Sequence, residues 1–252
     1  MSYEQFRPTS FKLLPLVVKN LLIINGLFYL GSMAIGKAFK IDLDDIFGLH
    51  YVSCAQFRPY QFITYMFMHG SFMHIFFNMF ALWMFGYVLE NVWGPKRFLL
   101  YYLVTGVGAA VVQIFITYLR IRNIEAGLSP EAIQMVYSNG ADLLKTNINY
   151  KDTALGSLNI LINTSIIGAS GAVFGILLAF GMMFPNTLIY IYFAIPMKAK
   201  WFVIIYGALE LYSGFANSAN DNVAHFAHLG GMLFGFFLII YWRKVMKRNN
   251  FS

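Results

Sequence analysis

Charge is what this chain has least of. Its 252 residues carry 18 Lys and Arg and 11 Asp and Glu, 12% in all, about half the charged fraction of a soluble domain. With 59% hydrophobic residues and a mean hydropathy of +0.62, that scarcity excludes an ordinary soluble domain and points to a polytopic membrane protein. Cysteine is nearly absent. Cys54 stands alone, so no internal disulfide can form. Acidic residues are the rarer charge, leaving a net +7 and a pI near 9.4. A basic balance can signal nucleic acid, but here Lys and Arg cluster between apolar runs, as membrane anchors do. No nucleic-acid partner is expected. The first apolar run has no small-residue cleavage site behind it, and more runs follow, so it reads as a retained helix rather than a signal peptide. The sequence also lacks an internal repeat, a low-complexity segment and an HExxH motif.

What is present is a series of six apolar runs, near 16–36, 72–89, 98–119, 166–184, 199–214 and 224–242. Each is close to the roughly 20 residues that cross a bilayer. The expected fold is all-α, a polytopic bundle of six transmembrane helices forming a single integral membrane domain over 1–252. Arg7, Lys12 and Lys19 flank the first run. Lys96 and Arg97, Lys198 and Lys200, and Arg243, Lys244, Lys247 and Arg248 follow the second, fourth and sixth. With six crossings these clusters share one side, the cytoplasm, which places both termini there and suggests the plasma (inner) membrane. The long 120–165 stretch then lies on the outer side, with one short helix expected from Pro130 to about Tyr137 or Asn139.

Polar residues concentrate near the outer ends of three runs. The second carries His74 and Asn78, the fourth Ser170, and the sixth His225 and His228. All lie within roughly 10 Å of the outer boundary at 1.5 Å per residue. Polar groups held at membrane depth are costly and therefore functional candidates. A serine becomes a nucleophile when a base takes its proton, and an imidazole at matching depth can do so. Alone, Ser170 would read as a hydroxyl bonded back to its own helix.

Glycine spacing selects the histidine. His228 shares a helical face with Gly231 and Gly235, whereas His225 continues to His228 and Met232. The fourth run offers Gly171 and Gly175. Small residues four apart let membrane helices approach closely, so the His228 face is expected against the Gly171 and Gly175 face. His225 is expected at the mouth of the site, facing water or a loop carbonyl. His74 and Asn78, i and i+4, can donate to an oxyanion, or simply tie the bundle together. Glu210, alone in the fifth run, reads as a buried, paired or neutral carboxyl with a structural role. His69 reads as a loop residue, and His50 receives no role.

Three segments in order, "HGSFMHIFFNMFALWMFG", "GASGAVFG" and "AHLGGMLFG", resemble the signature segments of the rhomboid intramembrane serine proteases. "FRPYQFITYMFMHG", Glu90 and "WGPKRF" resemble the same family's first loop and the link between its second and third spans. The resemblance covers roughly Phe57–Tyr102 and Ile166–Trp242. It implies a Ser170–His228 dyad with no third acidic residue, an oxyanion site from His74, Asn78 and the Ser170 backbone amide, and no cofactor or metal. Gly168, Gly171, Gly175, Gly231 and Gly235 would shape the site. Substrates would be transmembrane segments of other membrane proteins, cut near small residues after sideways access near the fifth span. Many family members carry tyrosine four residues after the serine; here it is Phe174, which keeps the ring for stacking on the histidine and loses the hydroxyl.

Three other readings compete. A catalytically silent relative would bind membrane proteins without cutting them. A metal protein could use His74, His225 and His228, but no acidic residue lies beside these histidines in sequence. A transporter would place its site at mid-membrane between repeats, and no repeat is present.

Overall fold

The computed structural model describes residues 11–191, 194–216 and 224–249. Arg7, residues 217–223 of the last loop, and the side chains of Lys247 and Arg248 lie outside the described residues.

Each of the six apolar runs contains a helix. Helix α1 is Leu16–Phe39, opened by Pro15 and closed by Lys40 in the left-handed region at φ 55°. Two short helices follow, α2 (Leu43–Phe47) and α3 (Gln61–Thr64), the latter running into a 3-10 turn at Tyr65–Phe67. Helix α4 is Phe72–Trp93; the Ser71 side chain caps it by accepting from the His74 backbone N–H, and Gly94 ends it at φ 79°. Pro95 starts helix α5 (Pro95–Glu125) at the position where its missing N–H costs nothing. Helices α6 (Pro130–Lys145) and α7 (Thr153–Asn163) come next, then α8 (Ser170–Met183). A two-stranded hairpin, β1 (Leu188–Ile191) and β2 (Ile195–Lys198), pairs Leu188 with Lys198. Helices α9 (Ala199–Ala216) and α10 (His225–Asn249) complete the chain.

Among the described residues, four helices, α1, α4, α5 and α10, are long and apolar enough to cross a membrane. Together with the helical core they make the protein an all-α membrane bundle. Helix α8 has 14 residues, about 21 Å at 1.5 Å per residue, and cannot cross a hydrocarbon core of about 30 Å alone.

The expected fourth span corrects in one respect. It was placed from 166, yet the helix begins at Ser170. Ile166 instead forms an antiparallel bridge with Leu49, through N–H to O contacts of 2.8 and 2.9 Å. Gly168 then turns the chain at φ 127° and donates its N–H to the Tyr65 carbonyl at 2.9 Å. Hydropathy registers the apolar side chains and is blind to a backbone bridge.

Ten of the fourteen α8 residues are buried, and α4, α5, α9 and α10 pack around it. On the opposite side of α4, the Glu90 carboxylate accepts from the Val17 and Val18 N–H groups at 2.9 and 2.8 Å, satisfying the first turn of α1. Helices α6 and α7 build a second, smaller core with Tyr51 and Ile121, from Val136, Leu158 and Ile162. The expected loop helix therefore exists but runs on to Lys145, and α7 went unforeseen. Its signal was Asp152, whose side chain accepts from Leu155 N–H at 2.9 Å as an N-cap.

Candidate active site

Ser170 is the first residue of α8, and its Oγ lies 2.8 Å from His228 Nε2 in the first turn of α10. The helices can meet so closely because Gly231 backs onto Gly171. A Cβ at Gly231 would overlap the Gly171 carbonyl oxygen. One turn along α8 from Ser170, on the same face, the Phe174 ring lies flat on the His228 imidazole, with centroids 4.1 Å apart and 6° between planes. His228 is 7% exposed.

The rest of the glycine pattern is arranged differently from the expected single stripe. A Cβ at Gly175 would meet Thr105 of α5, and one at Gly235 would meet the Tyr101 hydroxyl. That hydroxyl donates to the Gly175 carbonyl at 2.8 Å. At this level α5 stands between α8 and α10, so Gly175 and Gly235 admit its side chains. Of the four glycines, Gly171 and Gly231 are the two that meet backbone to backbone. Spacing shows which positions are small; it does not show which neighbour fills the space.

A second departure concerns the histidines. Glu210 Oε2, on α9, sits 2.8 Å from His228 Nδ1 and 2.6 Å from His225 Nδ1. His225 was expected at the mouth, and no carboxyl was expected beside either ring. The sequence does carry a signal: Glu210 is the sole acidic residue of α9, and a charge buried at such depth must find partners. Which partners it finds depends on how α9 leans on α10.

These three residues could hold a metal, since their ligating atoms all lie within 4.8 Å of one another. As they stand, however, 2.6 and 2.8 Å are hydrogen-bond lengths, whereas two atoms on one tetrahedral zinc sit about 3.3 Å apart.

On the other wall, His74 and Asn78 line one face of α4. The space a Gly168 Cβ would take is bordered by His74 Nε2 and Ser170 Oγ, which is why glycine suits that position. Asn78 is 6% exposed, and its amide makes no hydrogen bond among the described residues. The His69 ring packs against His74 with centroids 4.9 Å apart. His69 lies outside the helices; burial, and then the neighbouring His74, push its imidazole down to about 4, against an opposing pull from the Phe67 backbone. It is therefore neutral near pH 7. His50 is buried in the first loop, its Nε2 2.9 Å from the Asp45 carbonyl.

What the arrangement can do chemically is specific. It presents a hydroxyl to an imidazole nitrogen at the start of a helix, whose first N–H groups lack intrahelical acceptors and favour negative charge. Two further polar side chains, His74 and Asn78, come from a facing helix. A comparison with curated proteins gave no match. A family model described as Rhomboid domain matches residues 56–245, a stretch that includes every one of these groups.

Proposed function

The chain belongs to the rhomboid family, and from that premise we propose that it is an intramembrane serine endopeptidase acting on transmembrane segments of other membrane proteins. The observation that carries this reading is the 2.8 Å contact between Ser170 Oγ and His228 Nε2. Ser170 attacks the scissile carbonyl while His228 takes its proton and later returns it to the leaving amine. The tetrahedral oxyanion is assigned to the space beside Gly168 that His74 borders, with the Ser170 backbone N–H, His74 and Asn78 as its donors. Phe174 holds the imidazole flat. The site opens toward the outer side, opposite the Lys and Arg clusters, in the plasma membrane. A silent relative that only binds membrane proteins is the second reading; an intact, hydrogen-bonded serine and histidine argue for turnover.

The test is a fluorophosphonate probe applied to the purified protein, with the labelled residue mapped by mass spectrometry. Labelling on Ser170, at the same rate with and without EDTA, is the expected result. No labelling would favour the silent relative. Labelling or cleavage lost in EDTA and restored by zinc would instead give Glu210, His225 and His228 to a metal.

Asn78→Ala is expected to slow cleavage without abolishing it. Several donors share the oxyanion, and removing one costs about 10²- to 10³-fold in kcat. Steady-state kinetics on a transmembrane reporter would show the loss in kcat. An unchanged kcat would reduce Asn78 to a packing role.

A further inference from the structure

We infer that Glu210 is a positioning residue for this reaction, the third member of a hydrogen-bonded chain Ser170–His228–Glu210, with His225 holding its carboxylate from the other side. The inference rests on the reading of Ser170 as nucleophile and goes beyond the two-residue machinery that the family resemblance implies.

The argument starts from one oxygen. Glu210 Oε2 lies 2.8 Å from His228 Nδ1 and 2.6 Å from His225 Nδ1. An ionised carboxylate can only accept, so each imidazole must present Nδ1–H to it. A neutral His228 protonated on Nδ1 has its lone pair on Nε2, the nitrogen 2.8 Å from Ser170 Oγ. The carboxylate thereby selects the tautomer that can act as base. The other tautomer would aim an N–H at Ser170 and could not take its proton.

The same oxygen matters again once the proton has moved. His228 then carries a positive charge in a pocket where it is 7% exposed, and an anion beside Nδ1 offsets that charge. Two restraints fix the ring. Phe174 stacks on its face at 4.1 Å, blocking tilt, and Glu210 holds its edge, blocking rotation. His225 completes the arrangement. Glu210 is itself only 9% exposed, so its charge must be met by protein donors rather than water. The Nδ1–H groups of His225 and His228, one turn apart on α10, supply two.

A static tie between α9 and α10 would use the same contacts and have no effect on the chemical step. The two roles separate kinetically. Wild type, Glu210→Gln, Glu210→Asp and Ser170→Ala are purified in parallel and assayed on a transmembrane reporter, with thermal unfolding recorded for each. Glu210→Gln keeps the shape and removes the charge. It is expected to lower kcat by about 10²- to 10⁴-fold with KM nearly unchanged, and Glu210→Asp to recover part of that loss. Histidine ¹⁵N spectra of the wild type are expected to show His228 protonated on Nδ1 and bare on Nε2. Should the variants fail to fold, this spectrum decides alone. A wild-type His228 protonated on Nε2, or a folded Glu210→Gln with undiminished kcat, overturns the inference. Cleavage by Ser170→Ala would overturn the serine mechanism itself, and the inference with it. A dead Ser170→Ala beside a fully active Glu210→Gln overturns the inference alone.

Discussion

Ser170→Ala will abolish cleavage of a transmembrane substrate while leaving the protein folded. The side chain gives the attacking oxygen, held 2.8 Å from the His228 imidazole. In a soluble serine protease, removing the nucleophile costs on the order of 10⁶-fold in kcat, which would place this variant below detection in most membrane assays. The structural cost is small. Alanine is the better helix former at that position, and the deletion leaves one imidazole nitrogen unpaired, worth about 1–3 kcal/mol. Turnover of a reporter in liposomes and thermal unfolding of the same preparation check both halves. Turnover retained in pure Ser170→Ala would remove the serine mechanism from consideration.

Gly231→Ala is the second large effect, and it works through geometry alone. A single Cβ there overlaps the Gly171 carbonyl oxygen, and a helix backbone cannot turn aside as a side-chain tip can. Helix α10 must withdraw, carrying His228 with it from Ser170. Proton transfer needs the two atoms near 3 Å, and about 1 Å of misplacement costs on the order of 10²-fold. A drop of at least that size is expected, with slower fluorophosphonate labelling and a lowered unfolding temperature, although the added methyl brings no polarity to the membrane. Wild-type labelling in Gly231→Ala would show that α8 and α10 do not depend on this contact.

How much of this was legible in the sequence depends on what kind of information each feature needs. Apolar run length marked a helix in each of the six runs, but four of those helices are long and apolar enough to cross a membrane among the described residues, and α7, in the polar loop, carried no such mark. Depth along each run put Ser170, His74 and His228 in one layer, since 1.5 Å per residue needs no knowledge of neighbours. Pairing is where the reading failed. Gly175 and Gly235 looked like partners and instead receive Thr105 and Tyr101. Glu210 reads as a buried, paired or neutral carboxyl, but the sequence does not name its partners, two histidines of α10. The start of α8 is set by Leu49, more than a hundred residues earlier in the chain. Each of these depends on which helix stands beside which, and a one-dimensional pattern of small, apolar and charged residues is compatible with several such arrangements.

The extended stretch ahead of α8 also bears on how the protein is made. Between Ile166 and Ser170 the backbone is not helical, and the Ile166 N–H and C=O and the Gly168 N–H are met by Leu49 and Tyr65. In hydrocarbon an unmet backbone group costs several kcal/mol, so this stretch has no stable resting place until the first loop is already seated. Gly171, just inside α8, closes against Gly231 of α10, a helix synthesised later. The site is therefore completed late: a nascent chain has Ser170 well before it has His228. During synthesis, when the chain lies among other unassembled membrane segments, the Ser170–His228 contact is absent, and it forms only when α10 docks.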